Sequence, residues 1–93
     1  MNRLEITVTN TFKRQLKRAI KSGKKRTDIQ TIITILSNQS PIPAKYRDHI
    51  LSGGNGDLHE LHIHPDWLLI YSIDNSNLVL FLLETGSHSD LFG

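Results

Sequence analysis

The chain contains no cysteine. A disulfide framework, a thiol nucleophile and a Cys-based zinc site are therefore excluded, and a reducing cytoplasm is the expected setting. No stretch approaches the roughly 18 consecutive apolar residues of a membrane span. The opening MNRLEITVTN alternates where a signal peptide would run continuously. A soluble cytosolic protein without a membrane partner is expected. Repeats, low-complexity tracts and linkers are also missing, so residues 1–93 suit one domain. At this length only about 60–65% of the unfolded chain's surface is buried on folding, which supports one modest core. The glycine-rich SGGNGD, residues 52–57, lacks the G-K-[ST] ending of a P-loop and precedes no helix.

Lys and Arg are absent beyond Arg47. Residues 1–47 carry eleven basic and two acidic side chains, and residues 48–93 carry seven acidic ones and all five histidines. A cationic half therefore precedes an acidic, histidine-bearing half. Such asymmetry points to a polyanion or acidic partner for the first half.

Leu4, Ile6 and Val8 alternate with Glu5 and Thr7, the pattern of a half-buried strand. Asn10 can cap a helix whose apolar side is Phe12, Leu16, Ala19 and Ile20. Its outer surface carries Lys13, Arg14, Lys17, Arg18 and Lys21. Gly23 should end it. Thr27 and Gln30 read as a capping box opening a second helix with Ile29, Ile32, Ile33 and Leu36. The segment 37–49 reads as a proline-containing loop. Strands are expected at about 57–64, 67–73 and 78–84, with turns at Pro65-Asp66 and DNSN. The expected order is β-α-α-β-β-β: an α+β fold with a helical hairpin on one face of an antiparallel sheet.

In LHELHIHPDW, residues 58–67, Leu61 and Ile63 should face the helices, leaving Glu60, His62 and His64 on the uncovered face. Histidine both donates and accepts protons near neutrality. His49, His62 and His88 could converge at one sheet edge for metal-free acid–base cleavage of RNA, with cations holding the phosphate. A zinc site on His62 and His64, with Glu60 or Asp66 as third ligand, is the weaker reading of the same residues. In the tail ETGSHSDLFG, glycine reads as a turn, His88 as the reactive group and the Leu91-Phe92 pair as an apolar anchor.

The combination of YRDH, LHIHPDWLLIY and TGSHSDLFG on this element order resembles the YafQ branch of the RelE superfamily, toxins of bacterial type II toxin–antitoxin systems. The resemblance covers essentially the whole chain. It implies an mRNA interferase: a ribosome-dependent, metal-independent endoribonuclease with no cofactor, leaving a 2′,3′-cyclic phosphate or 3′-phosphate and a 5′-OH. The implied partners are the ribosome, mRNA and a cognate DinJ/RelB-like antitoxin. By motif position it makes His49, His62, Asp66 and His88 catalytic. Glu60 and Phe92 match substrate-contacting positions, and Lys45 and Arg47 supply cations. Many relatives carry arginine before the tail's Thr-Gly, whereas here Glu84 stands there. The alternative of the same fold is a non-enzymatic, ParE-like inhibitor of DNA gyrase, against which the three histidines argue.

Overall fold

The computed structural model describes residues 3–52 and 57–93. Strand β1 (Glu5–Val8) leads into helices α1 (Asn10–Lys21) and α2 (Arg26–Ser37). After a 3-10 turn at Ala44–Tyr46 come β2 (His49–Ser52), β3 (Leu58–His64), β4 (Trp67–Asp74), β5 (Val79–Gly86) and the short helix α3 (His88–Phe92). The strands form a single sheet in the order β1-β5-β4-β3-β2.

The helical hairpin covers one face of the sheet. Phe12, Ala19, Ile29, Ile32 and Leu36 from the helices pack with Leu61, Ile63, Trp67, Leu69, Tyr71, Leu80 and Leu82 from the strands. These strand residues alternate along β3, β4 and β5, as side chains sharing one face must. Leu68 and Ile70, on the opposite face of β4, are also buried, at 0% and 4% exposure. Burial on both faces accounts for the continuous apolar run WLLIY.

Three expectations change. The sheet is mixed, because β1 runs parallel to β5 with Glu5 opposite Val79, while the other pairs are antiparallel. The two helices and the succession of antiparallel strands return β5 in the direction of β1. The loop expected at 37–49 already contains the 3-10 turn and the start of β2, an additional edge strand. The tail forms a helix. The glycines of the turn expected at 52–57 lie outside the described residues.

Helix capping also differs in detail. Thr9, not Asn10, caps α1: its Oγ1 accepts from the Phe12 N–H at 2.9 Å and donates to the Leu83 carbonyl at 2.7 Å. The bond to β5 ties the helix start to the sheet, which local propensity does not report. At α2 no Thr27–Gln30 box forms, because the helix begins at Arg26 and Thr27 is already inside it. Gly23 does follow the end of α1, at φ +107°, where a side chain would be strained. Ile6, expected to be half-buried, is 44% exposed because β1 is an edge strand.

Candidate active site

The uncovered sheet face is built in register rows. His49 on β2 pairs with Glu60 on β3, which pairs with Ile70 on β4, which pairs with Glu84 on β5. In the next row His62 pairs with Leu68 and Leu68 with Gly86. The apolar floor of Leu68 and Ile70 explains why Glu60 is a buried carboxylate, only 6% exposed.

Glu60 is the hub. Its Oε1 lies 3.3 Å from Nε2 of His49 and 3.8 Å from Nε2 of His62. A buried carboxylate is costly without a partner, so this geometry favours a proton on the facing nitrogens. His49 Nδ1 is 3.0 Å from the Arg47 carbonyl, an oxygen that can only accept. Both nitrogens of His49 thus face acceptors, an arrangement that the doubly protonated ring satisfies. Arg47 adopts φ +49°, the left-handed conformation that turns its carbonyl back toward the histidine.

His62 lies between the other two imidazoles. Its ring centroid is 6.1 Å from that of His49 and 5.7 Å from that of His88. Its Nδ1 is buried without a hydrogen-bond partner among the described residues. A buried orphan acceptor is less costly than an orphan N–H, which favours the tautomer with the proton on Nε2, toward Glu60.

His88 is delivered by α3. Ser87 Oγ accepts from the Asp90 N–H at 3.1 Å, and the Asp90 carboxylate accepts from the Ser87 N–H at 3.0 Å. This reciprocal capping box was legible as S-x-x-D, residues 87–90, and the sequence reading missed it. Asp66 Oδ1 accepts from the His88 N–H at 3.3 Å and lies 3.5 Å from its Nδ1. Asp66 therefore lies beside His88, at the limit of hydrogen-bond distance from its ring. Of the expected Leu91-Phe92 anchor, Leu91 is partly buried whereas Phe92 is 57% exposed, its ring 6.4 Å from that of His88. The cap holds the tail as well. Gly86 is a residue of β5 without the positive φ of a glycine turn.

A cleft of about 610 Å³ opens beside His62 and His88, lined by Lys45, Tyr46, Arg47, His62, Pro65 and His88 among others, while His49 and Glu60 lie outside its lining. The Lys45 ammonium lies 5.1 Å from the Tyr46 ring centre, within cation–π range. Lys13, Arg14, Lys17 and Lys21 are exposed on α1, on the helix-covered side, and do not line this cleft. Arg18 lines a second cleft of about 310 Å³ with Lys24 and Asp90.

The histidine pair considered for zinc does not converge. A register shift between His62 and His64 breaks the alternation, and His64 Nε2 bonds Asp28 of α2 at 2.7 Å while its ring stacks on Trp67. The group that does come together is His49, Glu60 and His62, with ligand atoms within 4.8 Å of one another. Two imidazoles and a carboxylate are a donor set suited to zinc or copper.

Comparison with known proteins follows this geometry. Residues 4–93 match the family model for the bacterial toxin of type II toxin–antitoxin systems, YafQ. The mRNA interferase toxin YafQ of Escherichia coli strain K12 is 33% identical over 90 residues, covering 96% of each chain. The crystal structure of the E. coli DinJ–YafQ complex superposes with a TM-score of 0.87 at 33% identity, covering 97% of this chain and 99% of that one. A metal-bound toxin from Helicobacter pylori superposes at 0.89 with 38% identity, covering 96% and 99%. With a family model spanning nearly all of the chain and relatives above 30% identity at full coverage, this protein belongs to the YafQ family of type II toxins.

Proposed function

We propose that the chain is an endoribonuclease that cuts mRNA engaged by the ribosome, by proton transfer between His49, His88 and the substrate. The observation that carries this is the row of three neighbouring imidazoles, His49, His62 and His88, in which the two outer, half-exposed rings have different hydrogen-bond surroundings. His88 directs Nδ1 toward Asp66, leaving Nε2 to accept the 2′-OH proton. The 2′-oxygen then attacks phosphorus, forming the 2′,3′-cyclic phosphate. The P–O5′ bond breaks, and His49 acts in its protonated form, its Nε2 proton passing from the contact with Glu60 to the leaving 5′-oxygen. Lys45 and Arg47 supply positive charge to the phosphate, and Phe92 is free to stack on a base. His62, fixed beside Glu60, bounds the site between the two proton carriers. The exposed cations of α1 bind ribosomal RNA phosphates away from the cleft.

The E. coli toxin forms a complex with DinJ, and a comparable antitoxin is proposed here, with an acidic segment meeting the cationic half. The ribosome places the activity in the cytoplasm, and among the described residues no helix is long and apolar enough to cross a membrane.

The test is primer extension on a reporter mRNA after brief induction. Discrete cleavage within the reading frame supports the proposal; intact mRNA with arrested replication supports gyrase inhibition instead. A second reading is favoured by the His49–Glu60–His62 cluster and by the metal-bound relative: a cation seated there and holding the phosphate. Purified ribosomes that remain intact under chelation separate the two. Cleavage that persists in EDTA supports the metal-free chemistry, and cleavage that stops and returns with zinc supports the cation.

A further inference from the structure

His49 sits on a strand that apolar burial does not hold. β2 has four residues, pairs only with β3, and exposes Ile50 at 53% and Leu51 at 39%. The pairing itself shifts register between Ile50 and Ser52. An edge strand of this length with its apolar side chains in solvent has little to fix it against sliding or fraying. The ring geometry at Glu60 nevertheless requires His49 to be placed closely.

Immediately before His49, Asp48 is tied down. Tyr71 on β4 donates its hydroxyl proton to Asp48 Oδ1, and the other carboxylate oxygen lies 3.3 Å from His59 Nδ1 on β3. The rings of His59 and Tyr71 stack at 4.8 Å, closing a triangle of three side chains. Tyr71 is 1% exposed and belongs to the core. Burial first, and then the bond to Asp48, hold its hydroxyl well above the ordinary tyrosine range, so it stays a donor throughout the working pH range.

The triangle mirrors the catalytic row. Asp48, His59 and Tyr71 are the chain neighbours of His49, Glu60 and Ile70; His59 and Tyr71 lie on the other face of β3 and β4, and Asp48 directly precedes β2. One carboxylate thus clamps β2 to β3 and β4 directly behind the His49–Glu60 contact. We infer that Asp48, held by Tyr71 and His59, is a positioning residue that places the His49 imidazole against Glu60. The inference deepens the ribonuclease function proposed above and names a group that never touches RNA.

The test compares Asp48→Ala, Asp48→Asn and Tyr71→Phe, each as the full chain, in cleavage of mRNA on programmed ribosomes. Imidazole NMR of His49 is recorded in parallel. Displacing a reacting group by about 1 Å can cost on the order of 100-fold in rate. Asp48→Ala should therefore lower kcat by about that factor, leave KM unchanged, and shift the His49 ring resonances. Asp48→Asn keeps an oxygen for Tyr71 and an amide that can donate to His59, so it should recover most of kcat and the wild-type spectrum. Tyr71→Phe removes one hydroxyl and should move the His49 resonances in the direction of Asp48→Ala. If Asp48→Ala does not fold, Tyr71→Phe and Asp48→Asn carry the comparison. Wild-type His49 resonances and kcat in Tyr71→Phe or Asp48→Ala would overturn the assignment. An Asn variant as impaired as the Ala variant would also overturn it. The NMR shifts test the positioning even if wild-type protein proves not to cleave RNA, so the two claims fail separately.

Discussion

Gly86 and Asp90 lie so close that a Cβ on the glycine would sit 3.0 Å from the Asp90 Cβ and 3.1 Å from its Oδ2. That oxygen accepts the Ser87 N–H, so the clearance at Gly86 keeps the capping box of α3 closed. The glycine is needed for space and not for a turn. Gly86→Ala should push Asp90 aside, open the cap and displace His88. Cleavage is expected to fall by on the order of 100-fold, as for other small displacements of a reacting group. Wild-type cleavage by Gly86→Ala would show that His88 does not depend on the cap.

His88→Ala removes the proposed proton carrier, with an expected effect of about 10²–10⁴-fold in rate. The residue is exposed and α3 buries no side chain, so the stability change should stay under about 0.5 kcal/mol. Single-turnover cleavage and thermal melting check both parts. A large loss of melting temperature with retained cleavage would make His88 structural.

Asp90 also sets an acid limit. Its carboxyl is held below the ordinary carboxylate range, first by the Ser87 backbone N–H and then by the Ser87 side chain. A group whose folded pKa is depressed contributes above its unfolded pKa, and the contribution is lost as pH falls through the folded value. The cap should therefore be intact at neutral pH and fray only below the usual aspartate range. The Ser87 amide shift, followed by NMR from neutral to acid pH, should stay flat and then move. Movement starting near neutrality would contradict the assigned bond.

Thr85 is a buried polar junction. Its Oγ1 accepts from Trp67 Nε1 at 2.9 Å and donates to the Leu68 carbonyl at 2.7 Å, and its N–H reaches Gln15 Oε1 at 2.9 Å. Thr85→Val keeps the volume but removes the hydroxyl that accepts from the indole N–H of Trp67, a residue 1% exposed. The cost expected for an orphaned buried donor is about 1–3 kcal/mol. Denaturant midpoints should fall accordingly, and Thr85→Ser, which retains the hydroxyl, should recover most of the loss.

Replacing Lys13, Arg14, Lys17 and Arg18 with Gln should weaken ribosome binding and flatten its salt dependence. The slope should change by about 0.7–0.9 log units per log of salt for each phosphate that is no longer neutralised. These residues lie outside the candidate cleft, so cleavage on ribosomes already bound should change little. An unchanged salt slope would return the helix face to the role of a solvated surface.

The helices, the three-stranded meander and the inward positions Leu61 and Ile63 were legible because periodicity reports which side of an element is apolar. Edge strand β2 was not: two prolines and a left-handed Arg47 precede it, and four residues carry too little pattern. The sheet position of β1 depended on a pairing across the chain that no local window contains. The histidines were visible as chemistry. The placing of His49 beside His62 follows from the strand register, and the register shift after His62 diverts His64 to Asp28. The Asp48–Tyr71–His59 triangle had no signal in spacing, since its members come from three separate segments of the chain.

The parallel pairing of β1 with β5 joins residues 74 positions apart, from Glu5 to Val79. The turns within the meander are a few residues long, and loop-closure entropy favours them first. The rim at β1 should thus be the last part of the sheet to assemble and the first to let go. Its amides should exchange with solvent before those of β4, while the strands that carry His49 to His88 remain laddered together. A transient opening at that rim would expose Leu4 and the start of α1 yet leave the row of imidazoles intact, so structural breathing and loss of toxicity need not coincide.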